Sequence, residues 1–258
     1  MAKYNKLAGK HVLVIGGSSG IGRGVVEGSI EAGARVTLSG SSAKSAATAV
    51  AEVQAAYPTA QVAGVACDLS KDSVEADLEA LFIEAKKPQP IDHVVLTAGD
   101  ALLIADVQDI TLEKIRQVAR FRMELPLLLG KVTARHLARS NECSLTISTG
   151  GIADRPSPGW SMIAYVGAGL TGLARNLAVD LKPVRVNAVE PGFVITGLWG
   201  AMGLTAEQLE AQAKAVADKV PTGRAATVED VAEAYLYLMK DRNATGEIVK
   251  TRSGSNLV

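Results

Sequence analysis

Four of the seven residues in Gly16-Gly17-Ser18-Ser19-Gly20-Ile21-Gly22 are glycine, and they follow the β-branched run His11-Val12-Leu13-Val14-Ile15. An Ala/Val/Glu segment with helical spacing continues to about Glu31, so the cluster joins a strand to a helix. Glycines there let the backbone turn tightly and approach a pyrophosphate at the positive end of the helix. Gly16, Ser18, Ser19 and Ile21 are thereby assigned to the phosphate side of a dinucleotide site. At the end of the next strand the chain reads Leu38-Ser39-Gly40-Ser41-Ser42-Ala43-Lys44. A carboxylate at that point would bind the adenosine ribose hydroxyls and repel a 2′-phosphate. The hydroxyls of Ser39, Ser41 and Ser42 beside the Lys44 ammonium suit a 2′-phosphate instead, with Arg23 adding charge, so NADP(H) is expected over NAD(H). The competing reading is a solvated serine-rich loop with no cofactor preference.

Other residues with chemical potential are sparser. Arg122, in Phe121-Arg122-Met123-Glu124-Leu125-Pro126, can anchor a carbonyl or carboxylate, hold the cofactor, or form a salt bridge to Glu124 or a neighbouring acid. Trp160 and Trp199 can sandwich a planar or polycyclic substrate or simply pack in loops. His11, His93 and His136 have no paired acid in view and read as structural or solvated. Cys67 and Cys143 lack CxxC or Cys/His spacing, which points to buried thiols and no metal site.

These residues need a scaffold, and the rest of the chain supplies its pattern. Strand-like runs at Arg35–Leu38, Gln61–Cys67, His93–Leu96, Ser144–Ile147 and Val184–Val189 alternate with helical segments at Ala43–Ala56, Ser73–Lys86, about Leu112–Ala138, about Ile163–Leu181 and Glu229–Met239. Parallel strands need crossovers, and right-handed crossovers place helices on both faces, so the fold expected is an α/β, Rossmann-like doubly wound parallel sheet in a single domain over 1–258. After Pro191 the regularity breaks into a stretch with exposed-looking Phe193, Leu198, Trp199, Met202 and Leu204, a substrate-lid segment over about 193–220. Lys+Arg 27 balance Asp+Glu 27, so no net field would draw in nucleic acid or an anionic membrane surface. No leader-like apolar run precedes the first strand and no other stretch reads as long enough to span a bilayer, so a cytoplasmic protein with a small-molecule partner is expected.

The glycine turn resembles the TGxxxGIG motif of the short-chain dehydrogenase/reductase family. Cys67-Asp68-Leu69 resembles that family's adenine-contacting Asp-Leu, which implies roles for Asp68 and Leu69. Thr97-Ala98-Gly99 resembles its Asn-Ala-Gly turn, implying Ala98 and Gly99. Arg185-Val186-Asn187 with Pro191-Gly192 and Thr196 resembles RVNxVxPGxxxT, implying that Pro191, Gly192, Val194 and Thr196 flank the nicotinamide. The family's reductases use a Tyr donor, a Lys four residues on, an orienting Ser and a relay Asn. The family's Gly-Leu-x-Arg-x-Leu-Ala run is Gly172-Leu173-Ala174-Arg175-Asn176-Leu177-Ala178 here, and counting back puts Ile163 at the Tyr and Gly167 at the Lys. Gly150 falls at the Ser, with Ser148 or Thr149 close by, and Arg122 at the Asn. Tyr165 is off register, and its partner four residues on would be Gly169.

Arg122 together with Arg155-Pro156-Ser157-Pro158-Gly159-Trp160 narrows the resemblance to a divergent branch, the fungal reductase/Diels–Alderases of malbrancheamide and paraherquamide assembly. That branch implies reduction of an iminium-type intermediate by NADPH followed by an intramolecular [4+2] cyclisation. Its acid between the two prolines is Ser157 here, and a neutral hydroxyl cannot give a cation the same Coulombic support. The reading that follows is an NADPH-dependent reductase of an apolar, ring-containing imine, iminium or carbonyl, with Arg122, Ser157 and Trp160 as site residues and water or Ser157 as proton source. A non-catalytic NADP(H)-binding sensor or scaffold, or an isomerase or cyclase with a non-redox cofactor, are its rivals. By analogy with the family, a homodimer or homotetramer is expected.

Overall fold

The computed structural model describes residues 3–258, so the first two residues of the expected 1–258 domain lie outside it. His11–Ile15 (β1) is buried at every position and lies near the centre of a seven-stranded sheet. With Arg35–Gly40 (β2), Val62–Ala66 (β3), His93–Leu96 (β4), Ser144–Ser148 (β5), Arg185–Pro191 (β6) and Ile248–Thr251 (β7), the sheet order is β3-β2-β1-β4-β5-β6-β7. Every neighbouring pair is parallel. Such strands carry apolar residues on both faces because helices cover both. The order reverses between β1 and β4, which opens a crevice at their carboxyl ends.

On one face Gly20–Glu31 (α1) packs with Val228–Lys240 (α9), which buries Tyr235, over Val12, Val14 and Leu38. On the other, Val74–Ala85 (α3), Leu125–His136 (α5) and Ser161–Asp180 (α6) cover Leu13, Ile15, Leu145 and Ile147. Ala43–Ala56 (α2) begins at Ser42, whose side chain accepts from the Ser45 backbone N–H. Arg185 is buried and structural. Its guanidinium donates to the carbonyls of Leu238, Met239 and Ala244 at 2.7, 2.9 and 3.1 Å, satisfying groups at the end of α9 and in the turn after it.

The structure corrects two sequence expectations and adds one strand. The single long helix over 112–138 is interrupted. Leu112–Ala119 (α4) passes through one π-helical turn at Arg120–Glu124 into α5. Pro126, at the start of α5, has no N–H to return to the Arg122 carbonyl, and the wider turn sits where that bond is lost. The β7 strand was not anticipated: it is four residues at a sheet edge, half-exposed and carrying Lys250, too short for a period to show. Finally, α6 is long and apolar enough by length and composition to cross a membrane, contrary to the expectation that no such stretch exists. Here its apolar stripe, Met162, Ile163, Val166, Gly167, Leu170, Ala174 and Leu177, is buried within the fold.

The 193–220 segment folds as Gly197–Ala201 (α7) and Ala206–Ala217 (α8), the latter started by a Thr205/Gln208 capping box. A third, smaller apolar cluster gathers Val118, Met162, Ile163 and Val166 with Leu102, Leu103 and Trp160.

Candidate active site

The nucleotide half is set by close backbone approach. Gly16 has φ +90, and a Cβ there would lie 2.6 Å from Ala98 Cα. A Cβ on Gly22 would collide with Gly16 O and Thr97 Oγ1. Thr97 Oγ1 lies 3.2 Å from the carbonyls of both Ile15 and Gly16, and the Gly16 N–H donates to Ser39 Oγ at 3.2 Å. Ser19 is the N-cap of α1, its hydroxyl makes no capping bond, and no acid occupies the first turn. The α1 terminus therefore keeps its positive end uncompensated by side chains, and the cradle fits a pyrophosphate.

From this turn a cleft of about 430 Å³ opens toward α2, lined by Ser18, Ser19, Ser42, Lys44, Ser45 and Thr48. Of the residues expected to meet a 2′-phosphate, Ser41 is exposed and Lys44 lines the cleft. Ser42 lines it too, while its hydroxyl caps α2. Ser39 is 1% exposed and supports the glycine turn from behind, so it is a positioning residue and not a ligand. Arg23 does not add free charge either, since Glu27 at 2.6 Å and Glu52 at 3.1 Å hold it. Asp68 stands half-buried at the end of β3 with its carboxylate accepting from Ser70 Oγ (2.6 Å) and Ser70 N–H (3.1 Å). The Ser70 hydrogen bonds hold its carboxyl below the usual range. Leu69 packs in the core, so Asp68 is the member of that pair that meets solvent.

On the side expected to flank the nicotinamide, Ala98 and Gly99 follow β4, and a Cβ on Gly99 would meet open space. Pro191 ends β6, and the Gly192 N–H donates to Thr251 O at 3.0 Å. Val194 is buried and bridges to Ala226. Thr196 begins α7 with its Cβ 3.7 Å from where a Gly20 Cβ would stand, so the two ends of the site meet there.

The proton-relay positions are empty of relay chemistry, as the register implied. Ile163 and Gly167 are buried on α6, and a Cβ on Gly167 would sit 3.6 Å from Thr149 Oγ1, facing the end of β5. A Cβ on Gly150 would meet open space. Tyr165 is 72% exposed on the opposite side of the helix. The nearby hydroxyls are engaged: Thr149 Oγ1 donates to Gly167 O at 2.9 Å, and Ser148 Oγ donates to Leu96 O at 2.7 Å while accepting from Tyr235 OH at 2.6 Å. Burial pushes the Tyr235 phenol up, so it is no acid at neutral pH.

Arg122 lies in the π turn, and its partner is Asp100 rather than Glu124. One guanidinium nitrogen meets Asp100 Oδ1 and the other donates to Asp100 O at 2.9 Å. Asp100 directly follows the Thr97-Ala98-Gly99 turn, and an acid in that place was the sequence signal for this pair. Ser157 is exposed. Trp160 is half-buried in the third cluster, fixed by Gly159, whose carbonyl accepts from Ala105 N–H at 3.0 Å. Trp199 packs against its own segment. It stacks on Phe193 at 4.8 Å and donates Nε1–H to Val194 O at 2.7 Å, which is loop packing within the 193–220 segment.

The remaining candidates lie elsewhere. His11 and His93 are buried at the amino ends of β1 and β4, and His136 pairs with Glu79, an acid that sequence reading did not find. Cys67 and Cys143 are buried free thiols. Among the described residues no group of three or more His, Cys, Asp and Glu could hold a metal ion.

Comparison with known proteins bears on this site directly. Residues 3–258 match the family model described as the SDR-like Rossmann domain. The short-chain dehydrogenase/reductase fsr5 of Gibberella fujikuroi is 42% identical, covering all of this chain and 98% of that protein. The short-chain dehydrogenase/reductase malC of Malbranchea aurantiaca is 38% identical over 96% of this chain and 95% of that protein. The solved MalC reductase/Diels-Alderase from the same fungus superposes with a TM-score of 0.92 at 37% identity, covering 99% of each chain. The branch resemblance carried by Arg122 and the Pro-Ser-Pro-Gly-Trp loop is upheld by these matches.

Proposed function

This chain belongs to the short-chain dehydrogenase/reductase family of oxidoreductases, and from that premise we propose that it is an NADPH-dependent reductase of an apolar, ring-containing acceptor. The acceptor class is a cyclic imine or iminium, or a strongly polarised carbonyl, reduced without the family's tyrosine–lysine relay. When bound, the dihydronicotinamide supplies the hydride. The observation that carries the reading is the emptied relay: Ile163 and Gly167 are buried on α6, a Cβ on Gly150 would meet open space, and Tyr165 is exposed on the other side of the helix.

A cationic acceptor needs a positioned hydride source and a shaped apolar pocket, and no proton donor. The chain's residues fit that demand. The α1 terminus, Gly16 and Gly22 hold the pyrophosphate, while Lys44 and Ser18 line the cleft for a 2′-phosphate, which favours NADP(H) over NAD(H). Arg122 is neutralised by Asp100, so it steadies the Gly99 turn and does not repel a cation. Trp160 and the lid residues around Phe193 exclude water from the acceptor, and for a neutral acceptor the proton comes from water or Ser157. Assistance to a following cyclisation then rests on pocket shape, because Ser157 brings no charge.

The same reading takes the protein to be a cytoplasmic homodimer or homotetramer, whose contact face includes Met123, Leu127 and Tyr165. These are exposed by 40%, 54% and 72%. Stopped-flow loss of NADPH absorbance over a panel of cyclic iminium ions, imines and bulky ketones tests the function. Saturable turnover with a cyclic acceptor, unchanged within about twofold in Tyr165→Phe, is expected. Tight NADPH binding with no acceptor reduced would sink the proposal, and loss of the hydride step in Tyr165→Phe would reinstate the phenol as donor.

A further inference from the structure

Beneath the nicotinamide side of the site lies a buried charge pair that the chemistry above does not use. Glu190 precedes the Pro191-Gly192 turn and is 0% exposed, and Arg252 follows β7 and is 7% exposed. Arg252 Nη1 lies 2.8 Å from Glu190 Oε1. The groups are not aligned for a hydrogen bond, and Glu190 Oε2 has no donor at all, so the contact is Coulombic. Burial pushes the Glu190 carboxyl up, and the Arg252 charge works against that shift. A pair so poorly satisfied is a weak source of stability, since desolvating two charges offsets most of their attraction.

Its geometry links three elements. The second arm of the guanidinium, Nη2, lies 3.3 Å from Asp154 Oδ2, in the loop between β5 and α6. Lys250 Nζ meets the same carboxylate oxygen. The Arg252 side chain lies across that loop, with Cδ 3.0 Å from where a Gly151 Cβ would stand, and its Cα would be 3.0 Å from a Cβ on Gly192. Arg155 reaches back to Ser255 O. Asp154 is two residues from Pro156, so the C-terminal strand, the Pro191-Gly192 turn and the Pro156–Trp160 loop are tied at one point.

We propose that Glu190, Arg252 and Asp154 form a positioning clamp, which fixes the Pro156–Trp160 loop against the Pro191-Gly192 turn and so sets how an acceptor sits. Arg is suited to the task because its planar fork serves two carboxylates in fixed directions, which a lysine cannot do. The functional consequence rests on the reductase reading; the clamp itself does not.

The test is Asp154→Asn, which cuts the clamp at its exposed end and leaves the buried pair intact. Asp154→Glu serves as the charge-preserving rescue, and Glu190→Gln/Arg252→Met as the removal of both buried charges. Amide exchange over residues 151–160 should quicken on the order of tenfold in Asp154→Asn and in the double variant, and return toward the parent in Asp154→Glu. With a reducible acceptor, KM should rise by about tenfold with NADPH Kd held within about twofold. Parental exchange rates in Asp154→Asn would overturn the clamp, and faster exchange with unchanged acceptor KM would overturn its role in acceptor placement. If the parent protein reduces no acceptor, the reductase reading fails while the exchange data still decide the clamp.

Discussion

In the proposed reading, cofactor choice turns on Lys44. It lines the cleft beside the glycine turn, whereas Arg23, the other nearby cation, is held by Glu27 and Glu52. One ammonium on a phosphate contributes a charge-assisted contact that a ribose hydroxyl cannot match. Lys44→Ala should therefore weaken NADPH binding by about tenfold while leaving NADH binding within about twofold, as read by fluorescence titration with both nucleotides. Equal weakening of both would place Lys44 outside the 2′-phosphate contact. Arg122 shows the limit of reasoning from residue type alone. Its charge alone is compatible with an anionic anchor, a cofactor contact or a salt bridge, and the structure shows the salt bridge, to Asp100.

Among the elements, the β1–α1 turn is the least tolerant. A Cβ at position 22 would meet the backbone oxygen of Gly16 and the Thr97 hydroxyl, neither of which can move without breaking the turn's hydrogen bonds to Ile15. Gly22→Ala should abolish measurable NADPH binding and destabilise the fold by about 1–3 kcal/mol, the usual cost of overpacking a tight site. Binding by calorimetry and unfolding by urea check both.

The turn was legible in sequence because its glycines lie between a strand and a helix whose periods are plain, and the same periods gave the first six strands. The Gly172–Ala178 run carries the register back to Ile163 and Gly167 along one continuous helix, which buries both residues. What escaped notice has physical causes. The π turn arises from a single missing N–H at Pro126 inside an otherwise continuous helical pattern. The β7 strand is too short to show a period, and the Glu190–Arg252 pair joins residues 62 positions apart that only the sheet brings together. The two readings of Trp199, substrate wall or loop packing, stay open in sequence because its Phe193 partner is not visible there.

For the molecule as a whole, acid stability follows from the imidazoles buried at the amino end of the sheet. Burial holds His93 down to about 3, and lowers His11 as well. The unfolded chain takes up these protons near 6.5, while folded His93 refuses its proton until about 3, so stability is full above 6.5 and falls as pH drops across that window. The slope is at most about 1.4 kcal/mol per pH unit for one imidazole. Asp230 adds to the loss further down, since Arg224 and the Thr227 N–H hold it to about 2 against 3.8 unfolded. His93→Gln should flatten the decline of urea midpoints between pH 7 and pH 4.5, and an unchanged slope would mean that folded His93 takes up its proton as readily as the unfolded imidazole.

Across all scales the chain builds a dinucleotide site and removes the proton relay beside it. The most direct test of that account follows the hydride itself. With NADPH deuterated at the nicotinamide C4, on the transferred face, and a cyclic iminium acceptor, the predicted result is one deuterium at the former iminium carbon of the product. The predicted rate is flat in pH from about 6 to 8, because no ionising donor takes part. Product without deuterium, or a rate that follows the titration of a single acid across that range, would contradict it.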